Sequence, residues 1–180
     1  MHPDTKILKL AFIGDSLTQW YSWQKKFPQY YVRNLGISGE RVEVLLERIP
    51  EIQTEIENVD IIFIMTGINN VADGHTDFVD DYRDIVRTFI AGYQGVKIVI
   101  QSILPTTLEW IANTTIAELN RRLEQTAIDL RVFYLDVYRL YVDNSGTTLK
   151  DLFLDDGAHL STKGYEVWAD EVERFLQTYT

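Results

Sequence analysis

A histidine and an aspartate stand three residues apart in the stretch DDGAHLSTKGYEVWAD, which covers residues 155–170. His159 is one of only three histidines in the chain, and Asp156 lies three residues before it. One interpretation is a general base oriented by the carboxylate, which this stretch alone does not decide. The structural alternative is a polar loop before a helix, for which Ser161 is a candidate N-cap. A base needs a group to deprotonate, so a nearby nucleophile would favour the first interpretation.

The candidate nucleophile is Ser16, in the stretch IGDSLTQ. An apolar run ends at Gly14, so the serine falls in a strand-to-helix turn that can hold its hydroxyl in the open. The N–H groups at the start of the next helix would favour negative charge there. An N-cap serine and a phosphate-binding turn are alternatives for the same pattern.

Two further stretches carry groups that could stabilise an oxyanion. In NLGISGE, the close pair Gly36 and Gly39 indicates a backbone that turns tightly and can approach a ligand, although an ordinary turn would look the same. In TGINN, the carboxamide of Asn69 could donate a hydrogen bond to developing negative charge. Asparagine is also a common turn residue, so neither stretch is specific alone.

Five short apolar runs predict the β-strands that position these groups. They are rich in β-branched and aromatic residues, and most end in glycine or proline. The run at residues 59–67 is apolar throughout, which is typical of a central parallel strand covered on both faces. The predicted strands cover residues 7–14, 29–36, 59–67, 96–105 and 131–137.

Amphipathic segments between the strands predict helices. These helices cover residues 39–56, 76–93, 113–130 and 161–179. The apolar stripes of the first three are Val42, Leu45, Leu46 and Ile49, then Phe78, Tyr82, Ile85, Val86 and Phe89, then Ile116, Leu119, Leu123 and Ile128. Pro50 is expected to break or restart the first helix. Asn113 heads a formal glycosylation sequon, NTT, which we interpret as the start of the third helix.

This alternation of strands and helices predicts an α/β fold. We expect a three-layer α/β/α sandwich, flavodoxin-like, with a five-stranded parallel sheet in a single domain over residues 1–180. The carboxyl ends of parallel strands share one edge, where ligands bind in open α/β sheets. Ser16, Gly39 and Asn69 should therefore converge there. The irregular segment 138–159 would bring His159 to the same edge.

The composition excludes several classes of function. The chain has 180 residues and is 46% hydrophobic, as expected of a globular domain. Its net charge of −10 argues against nucleic-acid binding. The absence of cysteine excludes disulfides, thiolate metal sites and cysteine nucleophiles. With no signal peptide and no membrane-spanning run visible, we expect a cytoplasmic protein that does not insert into a membrane, although export of a trimmed form stays open.

Taken together, the four stretches resemble the blocks of the SGNH hydrolases, also called GDSL esterases and lipases. The blocks occur in order as GDS, GISG, GINN and DGAH, and the likeness runs from the first strand to the last helix. FIGDSLTQW, ISGE and DGAHLSTKGYEVWA also resemble the acetylhydrolase-like bacterial branch. One departure is Asn70, where the family usually has aspartate. Asn70 carries no charge but can still accept a backbone hydrogen bond.

The resemblance implies a mechanism and the residues that perform it. Ser16 would attack an ester carbonyl, and His159, oriented by Asp156, would carry the proton. The oxyanion would be bound by the backbone N–H groups of Ser16 and Gly39 and by the side chain of Asn69. The family pattern Asp-x-x-His favours Asp156 over Asp155 as the partner of the histidine, and no metal or cofactor is implied.

The sequence says less about the substrate, for which the only partner implied is a small-molecule ester. Asp15, Trp20 and Trp110 are candidate pocket residues. Helix packing is the favoured explanation for the dense cluster of Trp20, Tyr21 and Trp23. The short chain favours a small acyl group such as acetyl. A lysophospholipase, a thioesterase and a non-catalytic carbohydrate- or phosphate-binding domain are alternatives. His75 is a further candidate for the cleft, and the sequence does not decide whether the protein forms a homo-oligomer.

Overall fold

The computed structural model describes residues 7–178. Within this part of the chain, five parallel strands form one sheet in the order β2–β1–β3–β4–β5. The strands are β1 (Lys9–Gly14), β2 (Tyr31–Gly36), β3 (Ile61–Met65), β4 (Lys97–Gln101) and β5 (Phe133–Leu135). Each lies inside a predicted strand and is shorter, because the apolar runs continue into connections that leave the sheet.

Helices cover both faces of the sheet. They are α1 (Ser16–Gln19), α2 (Trp23–Lys26), α3 (Val42–Glu55), α4 (Ile68–Ala72), α5 (Val79–Gly92), α6 (Asn113–Leu130) and α7 (Thr162–Gln177). Two 3₁₀ turns, Tyr138–Tyr141 and Lys150–Leu152, lie between β5 and α7. The predicted α/β/α sandwich is therefore confirmed. None of the described helices has the length and apolar character needed to cross a membrane.

Two apolar cores lie between the sheet and its helices. In β1, Ala11 and Ile13 belong to the core beneath α3, α5 and α6, whereas Leu10 and Phe12 belong to the core beneath α2 and α7. This division follows from the period of two along a strand. A sheet covered on both faces has continuously apolar strands, and all five residues of β3 are buried.

The expectation that Pro50 interrupts the first long helix was wrong. Pro50 lies inside α3, which is continuous. Proline removes one helical hydrogen bond and crowds the preceding turn. The buried stripe of α3 nevertheless continues on both sides of it, with Leu45 and Ile49 before the proline and Ile52 after it, all in one core. Tertiary packing therefore outweighs the local cost.

The apolar stripe predicted for α6 holds except at Ile128, which is 63% exposed. Five residues separate Ile128 from Leu123, which places it about 140° away around the helix. Ala127 is buried on the stripe instead. The stripe predicted for α5 is buried throughout. The final helix was predicted to end at Tyr179, which lies outside the described residues.

The strand order creates a crevice at the carboxyl edge of the sheet. β1 and β3 are neighbours, but the chain leaves β1 towards β2 on one side and leaves β3 towards β4 on the other. This reversal is the topological switch point at which open α/β sheets bind their ligands. Ser16 follows β1 and Asn69 follows β3, so both border the crevice.

Candidate active site

Ser16 begins α1 directly beyond the end of β1. The residue before it, Asp15, is the N-cap of this short helix, because its Oδ1 accepts a hydrogen bond of 3.0 Å from the backbone N–H of Leu17. The N-cap alternative for Ser16 is thereby excluded. Its hydroxyl is free to bond elsewhere, at a site where the residue is 8% exposed.

The hydroxyl of Ser16 is joined to His159 and Asp156 by a chain of hydrogen bonds. His159 Nε2 lies 3.0 Å from Ser16 Oγ, and His159 Nδ1 lies 2.7 Å from Asp156 Oδ2. Asp155 is exposed and has no side-chain hydrogen bond to this imidazole. The structure thus brings together the three side chains that the sequence singled out for proton transfer.

The carboxylate of Asp156 is held by its own loop. Its Oδ1 accepts hydrogen bonds from the backbone N–H groups of Ala158 (3.0 Å) and His159 (2.9 Å). Partial burial works to raise the pKa of Asp156, but these bonds and the bond to the imidazole outweigh it and hold that pKa below its usual value. Asp156 is therefore ionised and can accept the Nδ1–H of His159.

Contacts from two sides fix the loop that carries this pair. Leu154 N donates to the carbonyl of His159 at 2.8 Å, which closes the loop on itself. Thr107 N, in the connection after β4, donates to the carbonyl of Gly157 at 2.9 Å. The imidazole therefore reaches Ser16 from a loop that is anchored to the sheet.

The turn between β2 and α3 presents Gly39 to open space. Glu40 N donates to the carbonyl of Ile37, and Gly39 has a φ of 77°, which favours glycine at the third position of such a turn. A Cβ built on Gly39 would meet nothing within 4 Å, whereas one on Gly36 would lie 2.4 Å from the backbone N of Gln19. Gly36 therefore serves close packing, and Gly39 borders the crevice.

This turn is bonded to the ends of both central strands. Ile37 N donates to the carbonyl of Gly14 at 2.9 Å, two residues before Ser16. The side-chain Nδ2 of Asn69 donates to the carbonyl of Glu40 at 2.9 Å. Since a carboxamide has two N–H groups, this bond fixes the side chain of Asn69 and leaves one donor for another acceptor.

A buried ion pair supports the same turn. Arg48 Nε lies 2.5 Å from Glu40 Oε1, and the two side chains are 13% and 1% exposed. The guanidinium also donates to the carbonyl of Leu35 at 3.0 Å. A buried carboxylate is costly unless it is paired in this way, so Arg48 stabilises Glu40 beneath the turn.

Asp15 does not line a pocket, contrary to the expectation. Its side chain is buried at 1% exposure, and its Oδ2 has no hydrogen-bond partner among the described residues. Burial raises the pKa of Asp15 to about 7. The Leu17 N–H opposes this rise, and the negative charge of Glu40 adds to it. The group is a buried neighbour of Ser16 and is out of reach of a substrate.

Asn70 links the segment after β3 to the start of α3. Its Oδ1 accepts a hydrogen bond of 3.0 Å from the backbone N–H of Val42, and its Nδ2 donates to Glu43 Oε2 at 2.7 Å. The expected backbone bond is thus present. The amide adds a donor that an aspartate could not supply.

His75 lines a separate cavity of about 290 Å³, together with Glu43 and Asn70, and the structure does not place it at Ser16.

The tryptophans near Ser16 have different surroundings. Trp23 is 1% exposed and stacks on Phe12 in the core, as the packing alternative predicted. Trp110 is 73% exposed, and no ring contact or side-chain hydrogen bond places it against the described part of the site. Trp20 is 53% exposed and stacks on the imidazole of His159.

Sequence reasoning missed several residues that shape this site. Ser38 and Gln19 tie the turn that carries Gly39 to α1, and Arg48 pairs with Glu40. No short motif marks these contacts, because each joins segments that are distant in the chain. Between residues 7 and 178, no group of three or more His, Cys, Asp or Glu side chains is arranged to hold a metal ion.

The chain is similar to known acylhydrolases. A sequence model of the GDSL-like Lipase/Acylhydrolase family matches residues 12–167. Over 169 residues the chain is 27% identical to platelet-activating factor acetylhydrolase IB subunit alpha1 of Bos taurus, a match that covers 87% of this chain and 70% of that protein.

Solved structures share the fold. A lipase/acylhydrolase from Enterococcus faecalis superposes with a TM-score of 0.81 at 21% identity, covering 96% of this chain and 97% of that one. An acetyl xylan esterase from Geobacillus stearothermophilus superposes with a TM-score of 0.76 at 21% identity, covering 93% of each chain. At these identities the likeness establishes the architecture.

Proposed function

Because this chain belongs to the GDSL-like Lipase/Acylhydrolase family and is therefore an ester-hydrolysing enzyme, we propose that it is a serine esterase that removes a small acyl group, such as acetyl, through an acyl-enzyme. The observation that carries the proposal is the hydrogen-bonded chain from Ser16 Oγ through His159 to Asp156. This is the arrangement in which a serine hydroxyl becomes a nucleophile.

The first half-reaction forms the acyl-enzyme. Ser16 Oγ attacks the ester carbonyl, and its proton passes to His159 Nε2 as the C–O bond forms. The imidazolium is stabilised by the ionised Asp156. Collapse of the tetrahedral intermediate breaks the bond to the leaving alcohol, which takes the proton back from Nε2. The acyl group is then held as an ester of Ser16.

The second half-reaction returns the free enzyme. Water gives a proton to His159 Nε2 and attacks the acyl carbon, and the carboxylic acid leaves as Ser16 recovers its proton. In both halves the negative oxygen would be bound by the N–H groups of Ser16 and Gly39 and by the free N–H of Asn69. Removing such a donor costs roughly 10²- to 10³-fold in kcat, which is the loss we expect for Asn69→Ala.

Two features support a small acyl group. The acetyl xylan esterase and the platelet-activating factor acetylhydrolase subunit are both named for acetyl esters, although their alcohols differ. In this chain, the indole of Trp20 stacks on the imidazole of His159. We propose that this indole restricts the length of the acyl chain that can reach Ser16.

The test compares p-nitrophenyl acetate, butyrate and octanoate as substrates of the wild type and of Ser16→Ala. We expect turnover to fall with chain length and to drop by several orders of magnitude in the variant. Ser22→Ala is a matched control, because Ser22 is exposed and forms no capping hydrogen bond. Mass spectrometry of the wild type quenched during turnover of the acetate ester should detect the acyl-enzyme as a mass gain of one acetyl group on the peptide that contains Ser16.

The opposite outcomes separate the alternatives. Faster turnover of octanoate than of acetate would contradict the small acyl pocket and favour a lysophospholipase. Equal turnover by the wild type and Ser16→Ala would exclude the serine mechanism. If neither protein hydrolyses these esters or acetylated sugars, a non-catalytic binding domain becomes the better interpretation.

A further inference from the structure

Trp20 has an unusual combination of exposure and fixation. It is 53% exposed, yet its ring lies 3.9 Å from that of His159, with only 12° between the two planes. Its indole Nε1–H donates to Ser38 Oγ at 3.1 Å. Its backbone N–H donates to the carbonyl of Ser16 at 3.0 Å. One residue therefore touches the nucleophile's backbone, the base and the turn that presents Gly39.

Ser38 connects Trp20 to the turn that carries Gly39. The backbone N–H and the hydroxyl of Ser38 both donate to Oε1 of Gln19, at 2.9 and 2.5 Å. Gln19 is the last residue of α1, and Trp20 follows it. Hydrogen bonds with the adjacent side chains of Gln19 and Trp20 thus converge on Ser38, the residue directly before Gly39.

The imidazole needs such a support, because its other restraints are partly open to solvent. The side chains of His159 and Asp156 are 24% and 48% exposed. A hydrogen bond at that exposure competes with water and restrains the ring only weakly. A stacked indole blocks rotation of the ring away from Ser16. Its π face also stabilises the imidazolium that forms when the serine gives up its proton.

We propose that Trp20 is a positioning residue that locks the imidazole of His159 and the turn carrying Gly39 into one geometry. The proposal rests on the proposed serine-esterase function. Trp20 acts through His159 and Ser38, so its effect falls on the transition state. A residue that served only as a surface for substrate would change substrate binding instead.

The kinetic test uses four proteins with p-nitrophenyl acetate. Trp20→Ala should lower kcat about 10- to 100-fold, the scale for a misplaced catalytic group, with little change in KM. Trp20→Phe keeps a stacking ring but loses the bond to Ser38, so it should recover most of the loss. Ser38→Ala removes that bond and the bond from the hydroxyl to Gln19, but keeps the bond from the backbone N–H to Gln19, so it should resemble Trp20→Phe.

A spectroscopic test needs no substrate. With three histidines in the chain, the ring protons of His159 can be assigned by NMR as the signals that disappear in His159→Gln. Stacking on an indole shifts these protons upfield. Trp20→Ala should move the His159 signals downfield, and Trp20→Phe should move them less. The matched control Trp110→Ala removes a more exposed indole and should leave them in place.

The outcomes distinguish the proposal from the function on which it rests. If turnover depends on Ser16 but Trp20→Ala keeps the wild-type kcat, the positioning role is overturned and the esterase stands. If Trp20→Ala raises KM alone, Trp20 is a substrate contact and the proposal is wrong. If turnover does not depend on Ser16, the serine-esterase mechanism is wrong, and the positioning role of Trp20 is overturned with it. Circular dichroism checks each variant for folding. Should Trp20→Ala misfold, Trp20→Leu, which keeps an apolar side chain but no ring, takes its place.

Discussion

At the scale of single residues, the buried carboxyl group of Asp15 lies next to Ser16, the proposed nucleophile. Burial, opposed by the Leu17 N–H and reinforced by the charge of Glu40, raises the pKa of Asp15 from 3.8 to about 7. Between these pH values the folded protein keeps a proton that the unfolded chain has released. The free energy of unfolding therefore falls as pH rises through this window, and the penalty is complete above it.

Replacing this carboxyl by an amide should remove the penalty. In Asp15→Asn, the Oδ1 atom still accepts the N–H of Leu17, and no charge is buried at high pH. The difference in free energy of unfolding between the variant and the wild type should be up to about 3 kcal/mol more favourable to the variant at pH 8 than at pH 5. Urea unfolding at both pH values measures this difference. If the variant differs in stability from the wild type by the same amount at both pH values, the pKa of Asp15 is not raised in the folded protein.

At the scale of elements, one side chain joins α4 to α3. The Asn70 amide accepts from Val42 N and donates to the carboxylate of Glu43. The bond from its own backbone N–H and then the bond from Asn70 hold the pKa of Glu43 below its usual value, so this carboxylate is charged. An aspartate could keep the bond to Val42 but would place a second carboxylate against Glu43.

We therefore expect Asn70→Asp, which introduces the residue usual in the family, to destabilise this chain. The loss should be about 1–3 kcal/mol at pH 8, the cost of a lost charged hydrogen bond. It should shrink at pH 5, because like charges raise carboxyl pKa values and protonation relieves the repulsion. Urea unfolding at pH 8 and at pH 5 measures the loss of stability at each pH. The double variant Asn70→Asp/Glu43→Gln should recover stability. If it does not, the repulsion is not the cause.

The elements could be predicted largely from periodicity, and the errors have physical causes. Strands buried on both faces give continuous apolar runs, so β3 was evident, but such runs do not show where a ladder ends. Pro50 was misjudged because local propensity does not register the core contacts of Ile49 and Ile52. Ile128 was misjudged because it was assigned to the stripe for its apolar character, although it lies about 140° around the helix from Leu123.

The site could be predicted in part from the ends of the strands. Ser16 and Asn69 follow neighbouring strands, so topology alone brings them together. The stacking of Trp20 on His159 could not be foreseen, because the two rings come from opposite ends of the chain and meet only through tertiary packing. The ion pair of Glu40 with Arg48 depends in the same way on the path of the turn.

At the scale of the whole molecule, the two ends of the chain share one core. Trp23 of α2 meets Trp168 of α7 edge to face, with ring centroids 4.8 Å apart. The indole N–H of Trp168 donates to Gln101 Oε1, at the end of β4, at 2.7 Å. The loop bearing His159 leads directly into α7. Docking of this helix should therefore couple the assembly of the site to the stability of the sheet.

This coupling predicts that activity and secondary structure are lost together. Trp168→Phe leaves the buried oxygen of Gln101 unpaired and opens a cavity, which should lower the free energy of unfolding by about 2 kcal/mol or more. In urea, the midpoints for esterase activity and far-ultraviolet circular dichroism should coincide in the wild type and fall equally in the variant. If the activity midpoint alone fell, α7 and its loop would open locally while the sheet stayed folded. The exposed Tyr31, at the amino-terminal end of β2, offers a control: Tyr31→Phe should move neither midpoint.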